Sequence, residues 1–353
     1  MIVKHYIGWD MGGAHLKMAH IDQAGVVRNV EQHATPIWQG LASLDQVLTD
    51  LNRRLPVSNI MHVVTTTGEL ADIFSDRKQG VISLVDRIAA TFPHHELRVY
   101  AGASGFITRE QVAEHYLQVA SANWHATAQV AAHHYNSGVL IDIGSSTTDI
   151  VPFLRGRLCN RGYTDQQRLQ YDELVYSGIV RTPLMAIVDK VPFAGEWQSL
   201  AAEHFATTAD IYRLTGELDE TYDMMEPADG GGKMELDSAR RLARMLGTDL
   251  EPTASNAKWT GLARYISEQQ LQLISRSLHR VISATDLGDG LRLIGAGSGR
   301  FMVSKLAQRH ACDYIDYAQV MHIEGNNRHG VADCATAVSV AQLARTLYHH
   351  EII

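Results

Sequence analysis

Three short stretches bring together carboxylates, small turn residues and hydrogen-bond donors in a pattern suited to phosphate chemistry. The first is Asp10-Met11-Gly12-Gly13-Ala14-His15-Leu16-Lys17. Glycines at a tight turn let backbone N–H groups approach phosphate oxygens, and an aspartate at a strand end can hold a hydrated divalent metal. Gly12, Gly13, Ala14 and His15 are therefore expected phosphate contacts, Asp10 a metal-side carboxylate and Lys17 an added cation. The second is Asp142-Ile143-Gly144-Ser145-Ser146-Thr147-Thr148-Asp149. Its glycine and four consecutive hydroxyl residues, Gly144, Ser145, Ser146, Thr147 and Thr148, offer phosphate donors between two acids. Asp142 is the expected metal-side acid of that turn. The third is Leu293-Ile294-Gly295-Ala296-Gly297-Ser298-Gly299-Arg300, where small residues after a strand let a flat ring or a phosphate lie against the backbone. It lacks GxGxxG spacing and does not open the chain, which argues against a dinucleotide fold. Each stretch alone also describes an ordinary turn.

Those turns need strands to deliver them. Residues 2–9, 15–22 and 25–32 are short β-prone runs broken at Gly12-Gly13 and around Asp22–Gly25, the pattern of a three-stranded meander. Leu41, Leu44, Val47, Leu48 and Leu51 fall at helical spacing. Ile60–Thr66 reads as a buried strand, Glu69–Arg77 and Val81–Thr91 as helices, and Leu97–Ala101 as another strand. The order restarts near Gly138: Val139–Gly144 is an apolar strand entering a polar turn, followed by strands over Thr147–Leu154 and Leu158–Gly162. Such a restart suggests an internal duplication. Met224–Lys233 is turn-rich and reads as a mobile loop. Gly261–Ala284 reads as one long helix, Leu291–Ile294 as a strand and Val331–Leu347 as a terminal helix.

Length and composition are compatible with two domains. A chain of 353 residues exceeds the usual size of one core, and its apolar and charged fractions, 45% and 20%, are those of a folded globule. The expected division is 1–115, joined by the helix 335–353, and 116–334 with an insertion at about 165–255. A net charge of -8 argues against a general nucleic-acid or anionic-membrane surface. Cys159, Cys312 and Cys334 are few and widely separated, which reads as reduced cytoplasmic thiols rather than a disulfide framework. No leader or membrane segment is expected. The 18 histidines show no metal-binding spacing such as HExxH.

Taken in order, the three turns resemble those of the superfamily of acetate and sugar kinases, heat-shock ATPases and actin. The resemblance implies an α/β fold of two ribonuclease-H-like (actin-like ATPase) domains with a ligand cleft between them, and a hydrated Mg2+ between Asp10 and Asp142. Asp142–Asp149 resembles the DIGGGSTE loop of exopolyphosphatases, with Asp149 in the place of their catalytic glutamate and Ser145-Ser146 departing from two glycines.

More narrowly, the chain resembles the hydantoinase/oxoprolinase-like proteins linked to tetrahydromethanopterin-dependent one-carbon metabolism. The matching segments are Gly8–Ala14, Thr66–Asp72, Ala122-Asn123-Trp124, Asp142–Asp149, Tyr163-Thr164 and Gly178–Pro183. Within that family, the methanofuran branch implies a transferase that joins an aminomethylfuran methyl diphosphate to a phenol, of tyrosine or γ-glutamyltyramine type, with release of diphosphate. Such chemistry needs donors and metal for the leaving group and a base for a phenol of pKa about 10. Asp149 is the expected base, with Lys17 as electrostatic helper. Glu69, Asn123 and Trp124 are the expected substrate contacts. Glu69 and Asp72 have an alternative role as helix-start acids, Trp124 as a core anchor, and Asp333 as a first-turn acid of the last helix. A small-molecule kinase or ATPase using the Gly295–Gly299 loop for a nucleotide is the first alternative, and a non-enzymatic ATP-dependent activator or chaperone the second. Whether ATP binds, and whether the chain forms a homo-oligomer, stay open.

Overall fold

A computed structural model describes residues 3–55, 58–251, 256–287, 290–323 and 328–350. Ile2 of the expected first strand, 252–255 of the expected insertion and 351–353 of the expected terminal helix lie outside them. The meander forms as expected: β1 (His5–Met11), β2 (His15–Asp22) and β3 (Val26–Ala34) pair antiparallel in sequence. After α1 (Ala42–Asn52), β4 (Ile60–Thr66) runs parallel to β1 with Asp10 opposite Thr65. Both β1 and β4 are buried almost throughout, which is why they read as apolar runs rather than as an alternation. One helix, α2 (Arg77–Thr91), then leads to β5 (Glu96–Tyr100) and β6 (Phe106–Ile107).

The expected helix over Glu69–Arg77 does not form. Residues 69–76 are turns and bends, and α2 is capped by the Asp76 carboxylate, which accepts from Gln79 N at 2.8 Å. Glu69 and Asp72 therefore do not act as helix-start acids. Beyond the short α3 (Tyr116–Val119), α4 (Asn123–His134) leads into the second sheet.

That sheet repeats the first. β7 (Ser137–Ile143), β8 (Thr148–Leu154), β9 (Arg157–Leu158), β10 (Leu174–Val175), β13 (Arg292–Ala296) and β14 (Asp313–Asp316) take the order β10-β8-β7-β13-β14, with β9 also on β8. The first sheet contains β3-β2-β1-β4-β5. In both, the second and first strands of the meander and then two later strands lie side by side with the third meander strand (β3, or the short β9) on the second, so the ribonuclease-H-like order is present twice; in the second sheet β10 also pairs with β8. The third strand expected over Leu158–Gly162 is shorter than anticipated. Between these elements lie α5 (Asp165–Gln170), the hairpin of β11 (Lys190–Phe193) and β12 (Glu196–Ser199), α6 (Thr208–Thr215), α7 (Glu235–Met245) and α8 (Asn256–Ser283). α9 (Arg300–Arg309) follows β13.

Packing divides the chain into two compact units, one of Met1–Leu140, Val151–Arg168 and Ile315–Ile353, the other of Ile141–Ile150 and Leu169–Tyr314. The division cuts through β7 and β8, and so differs from the expected 1–115 and 116–334. The expected terminal helix is two helices, α10 (Arg328–Asp333) and α11 (Ala335–His350). α11 lies on β1 so closely that a Cβ added at Gly8 would sit 1.9 Å from the Ala337 carbonyl oxygen. β15 (His322–Ile323) joins the edge of the first sheet beside β3. Among the described residues no helix is long and apolar enough to cross a membrane.

In the second unit, the turn-rich stretch 224–233 is tied down rather than loose. Fully buried Arg241 donates to Asp229 Oδ1 and the Gly232 carbonyl at 3.0 Å each and to Asp210 Oδ1 at 2.8 Å, and Lys233 reaches the Asp223 carbonyl. A buried guanidinium needs several acceptors, and this loop supplies two of them.

Buried histidines make the first unit acid-sensitive. Trp9 Nε1 donates to His62 Nδ1 at 2.9 Å, and His62 Nε2 meets His95 Nδ1 at 2.9 Å. Burial, with the neighbouring His95, pushes His62 down to about 3, and burial pushes His20 and His125 down to about 4. Unfolded histidines bind protons near pH 6.5. The unfolded chain therefore takes up protons first as pH falls below that value, and stability should drop between pH 6.5 and about 4. Glu69, raised by burial, works the other way as one group against three. Thermal melts should show Tm level above pH 7 and falling through that window. A flat Tm from pH 6.5 to 4.5 would contradict the neutral buried histidines.

Candidate functional site

The two expected turns lie in different units and are each held by their own surroundings. In the first unit, β1 ends at Met11 and the backbone turns through Gly12 and Gly13 into β2. Gly12 N donates to the His15 carbonyl at 2.9 Å, Ile37 N to that of Gly13 and Thr35 N to that of Ala14. Asp10 and His15 are 7% exposed. Asp10 stands opposite Lys17 across β1 and β2, a pairing that places their side chains on one face. Lys17 is half-buried, and its Nζ donates to the Asp333 carbonyl at 2.7 Å. Asp333 closes α10 and is buried, so it is not a first-turn acid. Near these charges lies Cys334, pushed up to about 12 mainly by burial.

In the second unit, β7 delivers Asp142, and Gly144 N donates to Thr147 O at 2.9 Å to close the turn before β8. Ile179 N donates to Gly144 O at 3.0 Å, and Val180 N and Arg181 N to Ser145 O at 3.1 and 2.9 Å. The Thr148 hydroxyl donates to Ser177 O at 2.6 Å, and Gln270 of α8 donates to Ser177 Oγ and Gly178 O. The segment 177–181 thus backs the turn. Arg181, exposed, reaches Ser146 Oγ at 3.4 Å through Nη1. It is a cation at the turn that the residue pattern did not single out; its only sequence signal was its place in the matched segment Gly178–Pro183. Asp149, 7% exposed, is the second residue of β8 and pairs with Leu174 of β10.

The Gly295–Gly299 loop joins this group. Gly299 N donates to Ile143 O at 2.8 Å. A Cβ on Gly297, whose φ is +77°, would sit 2.3 Å from Ile143 O and 2.4 Å from Asp142 Oδ1, one on Gly299 2.4 Å from Ile143 Cγ2, and one on Gly295 2.8 Å from Tyr314. Packing onto the end of β7 accounts for Gly297 and Gly299, and packing against Tyr314 and Val303 for Gly295, so their smallness does not itself require a nucleotide; Ala296 and Ser298 ride on the same loop.

Gly13 and Gly144 differ. A Cβ at Gly13 would meet only Gly68 Cα at 4.0 Å, and one at Gly144 only Thr147 O at 3.7 Å. Neither contact forbids a side chain. By contrast, a Cβ at Gly178 would press within 2.4–2.5 Å of the Ser145 and Gly144 backbone. Gly178→Ala should therefore destabilise the protein by about 1–3 kcal/mol, the usual range for overpacking. Gly13→Ala and Gly144→Ala should leave Tm unchanged, and, if these turns make the phosphate contacts expected from the sequence, a methyl group there should weaken diphosphate binding. Melting curves and diphosphate titration on the three variants check this; equal loss of Tm in all three would contradict it.

A second cluster in the first unit surrounds Glu69. Its carboxyl, 1% exposed, meets the hydroxyls of Thr66 at 3.0 Å and Ser121 at 2.9 Å. Ser121, held at φ +53°, also lies 3.2 Å from Asp165 Oδ2, which Arg77 contacts at 3.2 Å. A hydroxyl has one proton to donate. With both acids ionised, one of these contacts would set oxygen against oxygen; a proton held on Glu69, which burial favours, resolves it. Ser121 and Asp165 were not singled out from the sequence. Trp124, 2% exposed, lies beyond Ser121 in α4, with the Arg168 guanidinium 4.0 Å from its ring centre, while Asn123 opens the helix and its carbonyl accepts from the Thr127 hydroxyl.

Among the described residues no group of three or more His, Cys, Asp or Glu converges to hold a metal. One or two carboxylates at a phosphate turn suit Mg2+, which keeps waters and takes phosphate oxygens as its other ligands. The Ser145 hydroxyl is buried and meets no hydrogen-bond partner, so the second turn carries an unused donor for an oxyanion.

The family model described as hydantoinase/oxoprolinase matches residues 61–338. A Methanocaldococcus jannaschii protein named (4-{4-[2-(gamma-L-glutamylamino)ethyl]phenoxymethyl}furan-2-yl)methanamine synthase is 28% identical over 96% of each chain. A Methanococcus vannielii protein of the same name is 32% identical over 33% of this chain and 53% of its own. Among solved structures, nucleotide-free acetone carboxylase superposes with a TM-score of 0.56 at 10% identity, covering 97% of this chain and 70% of that one, a likeness of fold.

Proposed function

The chain belongs to the hydantoinase/oxoprolinase family, and from that premise we propose that it is a transferase of methanofuran-type cofactor synthesis. It joins an aminomethylfuran methyl diphosphate to a phenol, of tyrosine or γ-glutamyltyramine type, releasing diphosphate and forming an aryl ether. The observation that carries this reading is the end-to-end likeness to the M. jannaschii synthase, whose name specifies a phenoxymethyl group on a furan. Support comes from the two matching turns, each with a glycine that the packing does not require.

In this reading donors of Gly13–His15 and of Ser145–Thr147 hold diphosphate oxygens, with Arg181 as a further cation; the Gly12 and Gly144 N–H groups and the Thr148 hydroxyl, expected as further contacts, are not among them, because each already donates to a backbone carbonyl beside its turn. Asp10 is the carboxylate of the first turn, and Asp142 that of the second, suited to a divalent metal such as Mg2+, which when bound would supply positive charge to the leaving group. Asp149 takes the phenol proton, and Lys17 lends positive charge beside Asp10. Glu69, Asn123 and Trp124 face the acceptor side. The test is incubation of the purified protein with the furan methyl diphosphate, Mg2+ and a panel of phenols. An ether product by mass, formed together with diphosphate, is expected; ATP hydrolysis without an ether would favour the kinase or ATPase reading instead.

A further inference from the structure

In the first unit a pocket of about 210 Å³ opens between residues 101–104, the segment 117–125 and Tyr163-Thr164. We propose that it is the seat of the acceptor's phenol ring, an assignment that rests on the transferase reading. Its walls are small or aromatic: Ala101, Ala103, Ala120 and Ala122 leave room beside Trp124 and Tyr163. A cavity of about 150 Å³ accommodates benzene, so this volume takes one ring with its substituent. Size alone does not choose between acceptor and donor, but charge does. No Asp, Glu, Lys or Arg is among the described lining residues, and His125, kept neutral at pH 7 by burial, shares a hydrogen bond with the Tyr100 hydroxyl at 2.7 Å. A diphosphate would find no cation among these lining residues, the nearby Arg168 being fully buried against Trp124, whereas a neutral ring finds apolar and aromatic surface.

Two further observations point to an occupant. Leu117 and Tyr163 line the pocket yet are 54% and 57% exposed, large apolar surface left facing water. Trp124, an aromatic wall of the same pocket, is held rigidly enough by burial to serve as a stacking platform for a ring. The Arg168 guanidinium over the indole holds the ring in place. Gln118, Ser104 and Thr164 supply the few polar groups that would orient the substituents.

The test uses γ-glutamyltyramine and tyramine as probes on the full chain. Wild-type protein should bind at least one of them by calorimetric titration, without the diphosphate substrate present. Ala103→Leu, which fills the pocket, should weaken that binding at least tenfold, and Tyr163→Ala, at an exposed position where folding is not at stake, several-fold. In turnover, both should raise KM for the phenol and leave KM for the diphosphate unchanged. Phenol binding that is lost in these variants while no ether forms would sustain the pocket and sink the transferase reading. Ether formation with an unaltered phenol KM in both variants, or no phenol binding by the wild type, overturns the pocket.

Discussion

Asp10→Asn and Asp142→Asn should each leave no measurable ether formation while melting like the wild type. Each asparagine occupies the same volume at the end of a strand whose neighbours are fixed by backbone hydrogen bonds, so the turn has no reason to move. Under the proposed reading the change removes one metal-side negative charge, and Mg2+ would not accept an amide in place of a carboxylate without large loss. Asp142 makes the sharper case, because its Oδ1 lies at the place a Gly297 side chain would fill, and packing there tolerates the isostere but little else. Near wild-type turnover in either variant at saturating Mg2+ would count decisively against the metal-side assignment.

Asp149→Asn should lower the turnover number by about 10²–10⁴-fold, the usual worth of general-base catalysis, and barely change diphosphate affinity. The residue follows the second turn directly, is almost fully buried and sits on a strand paired on both sides, so the sheet fixes its backbone position. The diagnostic is the acceptor. Phenols made more acidic by ring fluorination need less help in losing their proton, so the deficit should shrink along such a series. If the variant instead weakens diphosphate binding and treats all phenols alike, Asp149 is a ligand or a strut and the base lies elsewhere.

The strands were readable because their burial is written into β-branched runs: Ile60–Thr66 has the bounds the apolar run suggested. The failures have local causes. Glu69–Arg77 has helix-forming residues, but Glu69 is turned inward onto Thr66 and Ser121, and Asp76 supplies the cap that starts the helix later. Met224–Lys233 has the composition of a loose loop, but Arg241, a dozen residues beyond Asp229, needs its carbonyl and carboxylate oxygens. Within the site, the turns were legible because glycine and hydroxyl residues cluster in sequence. Arg181, Gln270 and the Ser121–Asp165 contact were not, since each depends on residues brought together from distant parts of the chain.

α11 also sets a schedule. It covers β1, and β15 completes the sheet edge beside β3, yet each is made some 300 residues after the strand it covers. At a synthesis rate of about 5–20 residues per second, that is a wait of roughly 15–60 s during which the apolar face of β1 has no permanent cover. The first sheet therefore waits, open to aggregation, while the second unit is still being translated. Chains stopped before Ala335 should accumulate as aggregates rather than as a stable first unit, and supplying residues 328–353 as a separate peptide should rescue part of the soluble fraction.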